Sequence, residues 1–170
     1  LQLFFAWIII YVPLYLSSVL HFTWQEIGVI IASGLMAYVV FEYPIGIIAD
    51  RYLGEQEMMS VGFLILAITT ASIGVIGGLG IVGFMALMFI NRFGASLVEV
   101  TTESYFFKKV HHDDTGSIGF FRNTYPFAFI IAPLVASIML KFAPLWTLFA
   151  VLGIICCAGI LMVGKIKGVK

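Results

Sequence analysis

EYPIGIIADRYLG, residues 42–54, is a short charged interruption between two long apolar stretches. Gly46, Asp50, Arg51 and Gly54 gather there, between an apolar run that ends near Ile48 and another that starts near Met58. Such a pattern is a loop between two helices in lipid: apolar runs of about twenty residues span a bilayer, and charge marks where the chain returns to water.

The rest of the chain repeats the pattern. Of its 170 residues 62% are hydrophobic and 11% charged, against about 25% charged in a soluble domain. Too few polar groups remain to cover a water-exposed surface. Helices and closed barrels are the two structures that satisfy every backbone group in lipid. Barrel strands are segments of about ten residues with alternating polarity, and this chain has long continuous apolar runs. The expected fold is therefore an all-α membrane protein with six transmembrane helices, at approximately 1–20, 27–48, 58–76, 81–107, 118–140 and 145–163, in a single bundle.

Nine basic and nine acidic residues balance, which gives no footprint for nucleic acid. Cys156 and Cys157 are adjacent in an apolar run and read as small packing residues. No metal spacing is present, and no cofactor is expected. Adjacent His111 and His112 with Asp113 and Asp114 read as a solvated loop, since neighbouring histidines rarely reach one ion together. Asp113 or Asp114 is also placed to cap the fifth helix.

Charge sets the orientation. The connections at 21–25, 77–80 and 141–144 hold a single basic residue, Lys141. Arg51, Lys108, Lys109, Lys165, Lys167 and Lys170 all fall on the other side. The positive-inside rule puts that side, with both termini, in the cytoplasm. The chain starts within an apolar run, without Met, and reads as a piece of something longer.

Ionisable residues in the membrane mark functional candidates. The second helix has Glu42, the fourth Arg92, Glu99 and Glu103, and the fifth Arg122, whereas the third and sixth have none between their ends. The first offers Tyr11, Tyr15 and a kinking Pro13. Helices one, two, four and five are thus expected to face a polar interior, with three and six outside. Arg92, Ser96, Glu99 and Glu103 follow steps of four, three and four, which is one face of a helix. Three carboxylates near the cytoplasm, Glu42, Glu99 and Glu103, outnumber the bases Arg122 and Arg51. One acid is left over, and a desolvated carboxylate can carry a proton. Arg92 lies deepest and suits an anionic or polar solute. Asn91, Tyr11 and Tyr15 are expected beside it as cavity liners.

The stretch Gly46-Ile-Ile-Ala-Asp50-Arg51-Tyr-Leu-Gly54 resembles the loop between the second and third helices of each six-helix half of the major facilitator superfamily, G-x-x-x-D-R/K-x-G-R/K. One extra residue precedes Gly54, and Glu55-Gln56-Glu57 stands where basic residues are usual. Asn91-Arg92-Phe-Gly94 is similar to a fourth-helix pattern of the same family tied to proton coupling, and Ala132-Pro133 faintly to its glycine-proline motif. The resemblance implies one MFS-type six-helix bundle, half of a twelve-helix transporter and by its sequence the C-terminal half. It further implies a secondary active transporter working by alternating access, with a small solute and H⁺ as partners beside the lipid bilayer and the other six-helix half. The host membrane would be a bacterial cytoplasmic (inner) membrane. Gly46, Asp50, Arg51 and Gly54, with Glu42, Glu103 and Arg122, would form the cytoplasmic gate. Arg92 and Glu99 would serve substrate or coupling. The alternatives are a multi-pass membrane enzyme, against which stands the lack of any nucleophile–base or metal pattern, and a non-transporting membrane scaffold.

Overall fold

The computed structural model describes residues 1–51, 54–110 and 114–165, and for Asp50 and Arg51 the backbone alone. Those residues form six helices: α1 Gln2–Ser18, α2 Trp24–Arg51, α3 Glu55–Val75, α4 Ile81–Lys109, α5 Thr115–Met139 and α6 Trp146–Val163. Helices α2 to α6 are each long and apolar enough to cross a bilayer. α1 has 17 residues, the lower end of the spanning range.

α2 and α5 start ahead of their apolar runs for local reasons, while α1 is shorter than its run. α2 starts at Trp24, three residues before the apolar run, because Thr23 and Glu26 cap it. The Thr23 amide donates to Glu26 Oε2 at 2.7 Å, and the Glu26 amide turns back to Thr23 Oγ1 at 3.4 Å, which is a capping box. His21, just before it, takes a φ of 58° to reverse the chain. α5 starts at Thr115 because Asp114 caps it: Oδ1 accepts from the Ser117 amide at 3.0 Å, and Oδ2 from the Ser117 hydroxyl at 2.6 Å. His111, His112 and Asp113 lie outside the described residues, as do Tyr52 and Leu53.

α4 packs on both α2 and α3, and α3 packs in turn on α6. α1 meets α5, α2 and α6. In lipid the helices gain little by hiding apolar surface from one another, so close backbone approach carries the association. Gly62 and Gly94 provide it between α3 and α4. A Cβ on Gly62 would stand 2.9 Å from the Gly94 carbonyl oxygen, and one on Gly94 would stand 2.7 Å from Ile65 Cγ2. The main core lies between these helices and includes Trp7, Leu66, Phe84, Phe149 and Leu152. A smaller cluster of Ile45, Ala49, Met58 and Leu97 closes the α2–α3–α4 junction. α5 is the outlier. It buries only Ala132 and Ala136 among its side chains. Trp7 of α1 holds it by donating its indole N–H to the Ala132 carbonyl at 2.7 Å.

Candidate functional site

A cavity of about 510 Å³ opens between α1, α2, α4 and α5, and no residue of α3 or α6 lines it. These are the four helices to which the sequence assigns polar or kinking residues. α1 contributes an apolar wall around Phe5, Ile8 and Pro13, and α2 contributes Leu35 and Tyr38. α4 presents Met88, Arg92 and Glu99, and α5 presents Tyr125.

Arg92 is buried, at 6% exposure. Its seat is made by Gly34 of α2, where a Cβ would come within 3.1 Å of Arg92 Cγ. The glycine lets α2 approach and lets the arginine stem lie flat between the helices. Among the described residues the guanidinium has no salt-bridge partner. It acts electrostatically on Tyr38 and Glu99. The Tyr38 hydroxyl sits between those two charged groups, yet it is buried without a hydrogen bond of good geometry. Two donors, the guanidinium and the phenol, therefore meet at one cavity wall, and among the described residues neither is held in a salt bridge or a hydrogen bond of good geometry.

The polar face of α4 grades outward. Arg92 and Ser96 are buried, Glu99 is half-buried and Glu103 is exposed. Ser96 Oγ has no hydrogen-bond partner. Glu99 is in electrostatic contact with Glu103 on its own helix and with Glu42 on α2. The three acids form one cluster, as their spacing suggests. Arg122 is not drawn into it: it is exposed on α5 and forms no salt bridge with a described residue. The Asp50 and Arg51 side chains lie outside the described residues, and Gly46 and Gly54 hold the flanking backbone of α2 and the start of α3.

Other expected liners point elsewhere. Asn91 is fully buried on the far side of α4, where its Nδ2 donates to Thr69 Oγ1 at 2.9 Å and to Thr70 Oγ1 at 3.0 Å. It fastens α4 to α3. Tyr15 reaches the Gly74 carbonyl at 3.4 Å and packs edge-on against Phe149, while Tyr11 is buried in the core. Tyr38 is the site residue that sequence reasoning passed over. The spacing applied to α4 finds it, because Ile31, Leu35, Tyr38 and Glu42 also step by four, three and four.

An ion pair appears at the start of α3. Glu55, buried, accepts from Nζ of Lys108 near the end of α4. The acids that replace the usual basic residues after Gly54 thus include one with a basic partner on the neighbouring helix.

A bundle of apolar helices with charged side chains turned to a shared cavity defines an integral membrane protein built to handle a solute. The chain belongs to the Major Facilitator Superfamily, whose family model matches residues 1–167. Members of that family are membrane transporters rather than enzymes, and this protein is a membrane transporter. No curated protein and no solved structure matches the chain.

Proposed function

We propose that the chain is one six-helix half, the C-terminal one, of a secondary active transporter that moves a small solute by alternating access and couples it to protons. The observation that carries this reading is the cavity, walled by α1, α2, α4 and α5 alone. Solute sites in such transporters lie near the bilayer midplane between two repeats that rock about them. Arg92 would bind solute and Glu99 would take and release the proton, since it is half-buried among other acids. Glu42, Glu103 and Arg122 are exposed and free to meet a second bundle. With Asp50, Arg51, Gly46 and Gly54 they would form the cytoplasmic gate. Both termini would be cytoplasmic, in a bacterial inner membrane.

Flux in proteoliposomes tests the assignment. Arg92→Ala and Glu99→Gln should insert and fold normally yet lose solute uptake, and Glu99→Gln should lose its response to a pH gradient. Normal uptake by both variants would overturn the roles given to these residues.

A further inference from the structure

We propose that the solute is a small organic anion: an apolar body of aliphatic or aromatic carbon with one carboxylate-like head that docks on Arg92 and Tyr38. This deepens the transport reading and rests on it for the identity of the site.

The head group follows from what the cavity wall lacks. A buried guanidinium without a salt bridge is costly, and Arg92 is in that state among the described residues, with the Tyr38 hydroxyl as its polar neighbour. Its planar fork of donors matches a carboxylate in bidentate geometry. The Tyr38 hydroxyl, buried between Arg92 and Glu99 without a hydrogen bond of good geometry, adds a further donor from α2. A cationic head would be repelled at the Arg92 end of the cavity and drawn to Glu99 at the other, and a neutral one would leave the Arg92 charge unpaired. An anion both neutralises Arg92 and accepts from Tyr38.

The body follows from the remaining walls. Phe5, Ile8, Val12, Ile31, Leu35 and Met88 offer no polar group. The volume of about 510 Å³ falls within the range of pockets for drug-sized molecules, roughly 300–1,000 Å³. A sugar or another many-hydroxyl solute would find few partners here.

The acids add a linkage. Glu99 lies two helical turns from Arg92, roughly 10 Å along α4. The groups acting on it are Glu103 and Arg92 of α4 and Glu42 and Tyr38 of α2. From α1 the cavity receives apolar side chains, and from α5 the Tyr125 ring. An anion seated on Arg92 cancels the positive field that favours an ionised Glu99. Anion and proton therefore favour each other's binding, which is reciprocal by necessity.

Calorimetry on the protein in lipid nanodiscs, with empty nanodiscs as blank, tests this with one body and three heads: 4-phenylbutyrate, 4-phenylbutylamine and 4-phenylbutanol. The acid should bind at least about tenfold tighter than the other two, the lower end of what charge-assisted hydrogen bonds supply. Its affinity should rise as pH is lowered within the range in which the ligand stays ionised. Tyr38→Phe should weaken the acid severalfold and leave the alcohol unchanged. Arg92→Gln should erase the preference, and Arg92→Lys should keep part of it. Equal binding of the three heads, or preference for the amine, would overturn the proposal. Selective binding of the acid with no carboxylate flux in proteoliposomes would leave the ligand class standing and sink the transport reading. Arg92-dependent flux of a cation would do the reverse.

Discussion

Single positions in this bundle act through space more than through charge. At Gly62 the neighbour is the Gly94 carbonyl, a backbone atom that cannot swing aside. Gly62→Ala should cost about 1–3 kcal/mol by overpacking, seen as a lower midpoint of thermal unfolding in detergent. Gly28, also in a helix, has nothing within 4 Å of a Cβ. Gly28→Ala should be neutral or gain up to about 1 kcal/mol from helix propensity. If both variants unfold alike, close approach of α3 and α4 is not what holds that contact. At Asp114 charge does matter. The Ser117 hydroxyl and then the Ser117 amide hold its carboxyl below the usual aspartate range. A depressed folded value means that the cap stabilises α5 above the ordinary aspartate pKa and loses that contribution as pH falls below about 4. Asp114→Asn keeps an acceptor at the cap and removes its titration. The difference in helix content between the two proteins, followed by circular dichroism, should therefore narrow on acidification. A constant difference would place the acid sensitivity elsewhere.

Among the elements, the pairing of α3 with α4 shows how far the sequence could be read. Lys108 holds Glu55, so the start of α3 is tied to the end of α4. Glu55→Gln should lower thermal stability by about 1.5–3 kcal/mol, the range for a charged hydrogen bond, toward the lower end because Lys108 is 39% exposed. Exchange of the two charges, Glu55→Lys with Lys108→Glu, should recover part of the loss. Failure of the exchange to recover anything would deny the pair a role in joining the helices. The all-α class and the number of helices were legible in the sequence, because runs of apolar residues long enough to cross lipid leave little choice of secondary structure. The sequence also pointed to α4 as a cavity wall, because the cost of charge in hydrocarbon keeps Arg92 and Glu99 on a polar side, whereas Glu42 and Arg122 lie on α2 and α5 outside the cavity lining. What it could not supply was direction. Asn91 and Arg92 are neighbours, and an α-helix turns about 100° per residue. One therefore enters the cavity wall while the other bonds Thr69 and Thr70 of α3. Nothing in the residue types says which. The Glu55–Lys108 pair was hidden for a related reason, since it joins residues 53 positions apart that only the packing of α3 on α4 brings together.

For the whole molecule the deciding question is where water goes. Apolar side chains are exposed on both kinds of surface, so exposure alone does not separate a cavity from a lipid-facing side. Leu35 lines the cavity and is 51% exposed, while Ile68 on α3 and Ile154 on α6 are 59% and 69% exposed away from it. If α1, α2, α4 and α5 enclose a wet path, Leu35 meets water and the other two meet acyl chains. A cysteine reacts with a maleimide as its thiolate, and a low-dielectric surrounding suppresses that ion. In a background with Cys156 and Cys157 replaced by alanine, Leu35→Cys in nanodiscs should therefore label with a charged, membrane-impermeant maleimide. Ile68→Cys and Ile154→Cys should stay largely unlabelled despite their greater exposure. Addition of 4-phenylbutyrate should slow the Leu35→Cys reaction and leave the other two unchanged. Labelling of Ile68→Cys or Ile154→Cys as fast as Leu35→Cys would mean that the polar side chains of α4 do not mark the solute's route through the bilayer.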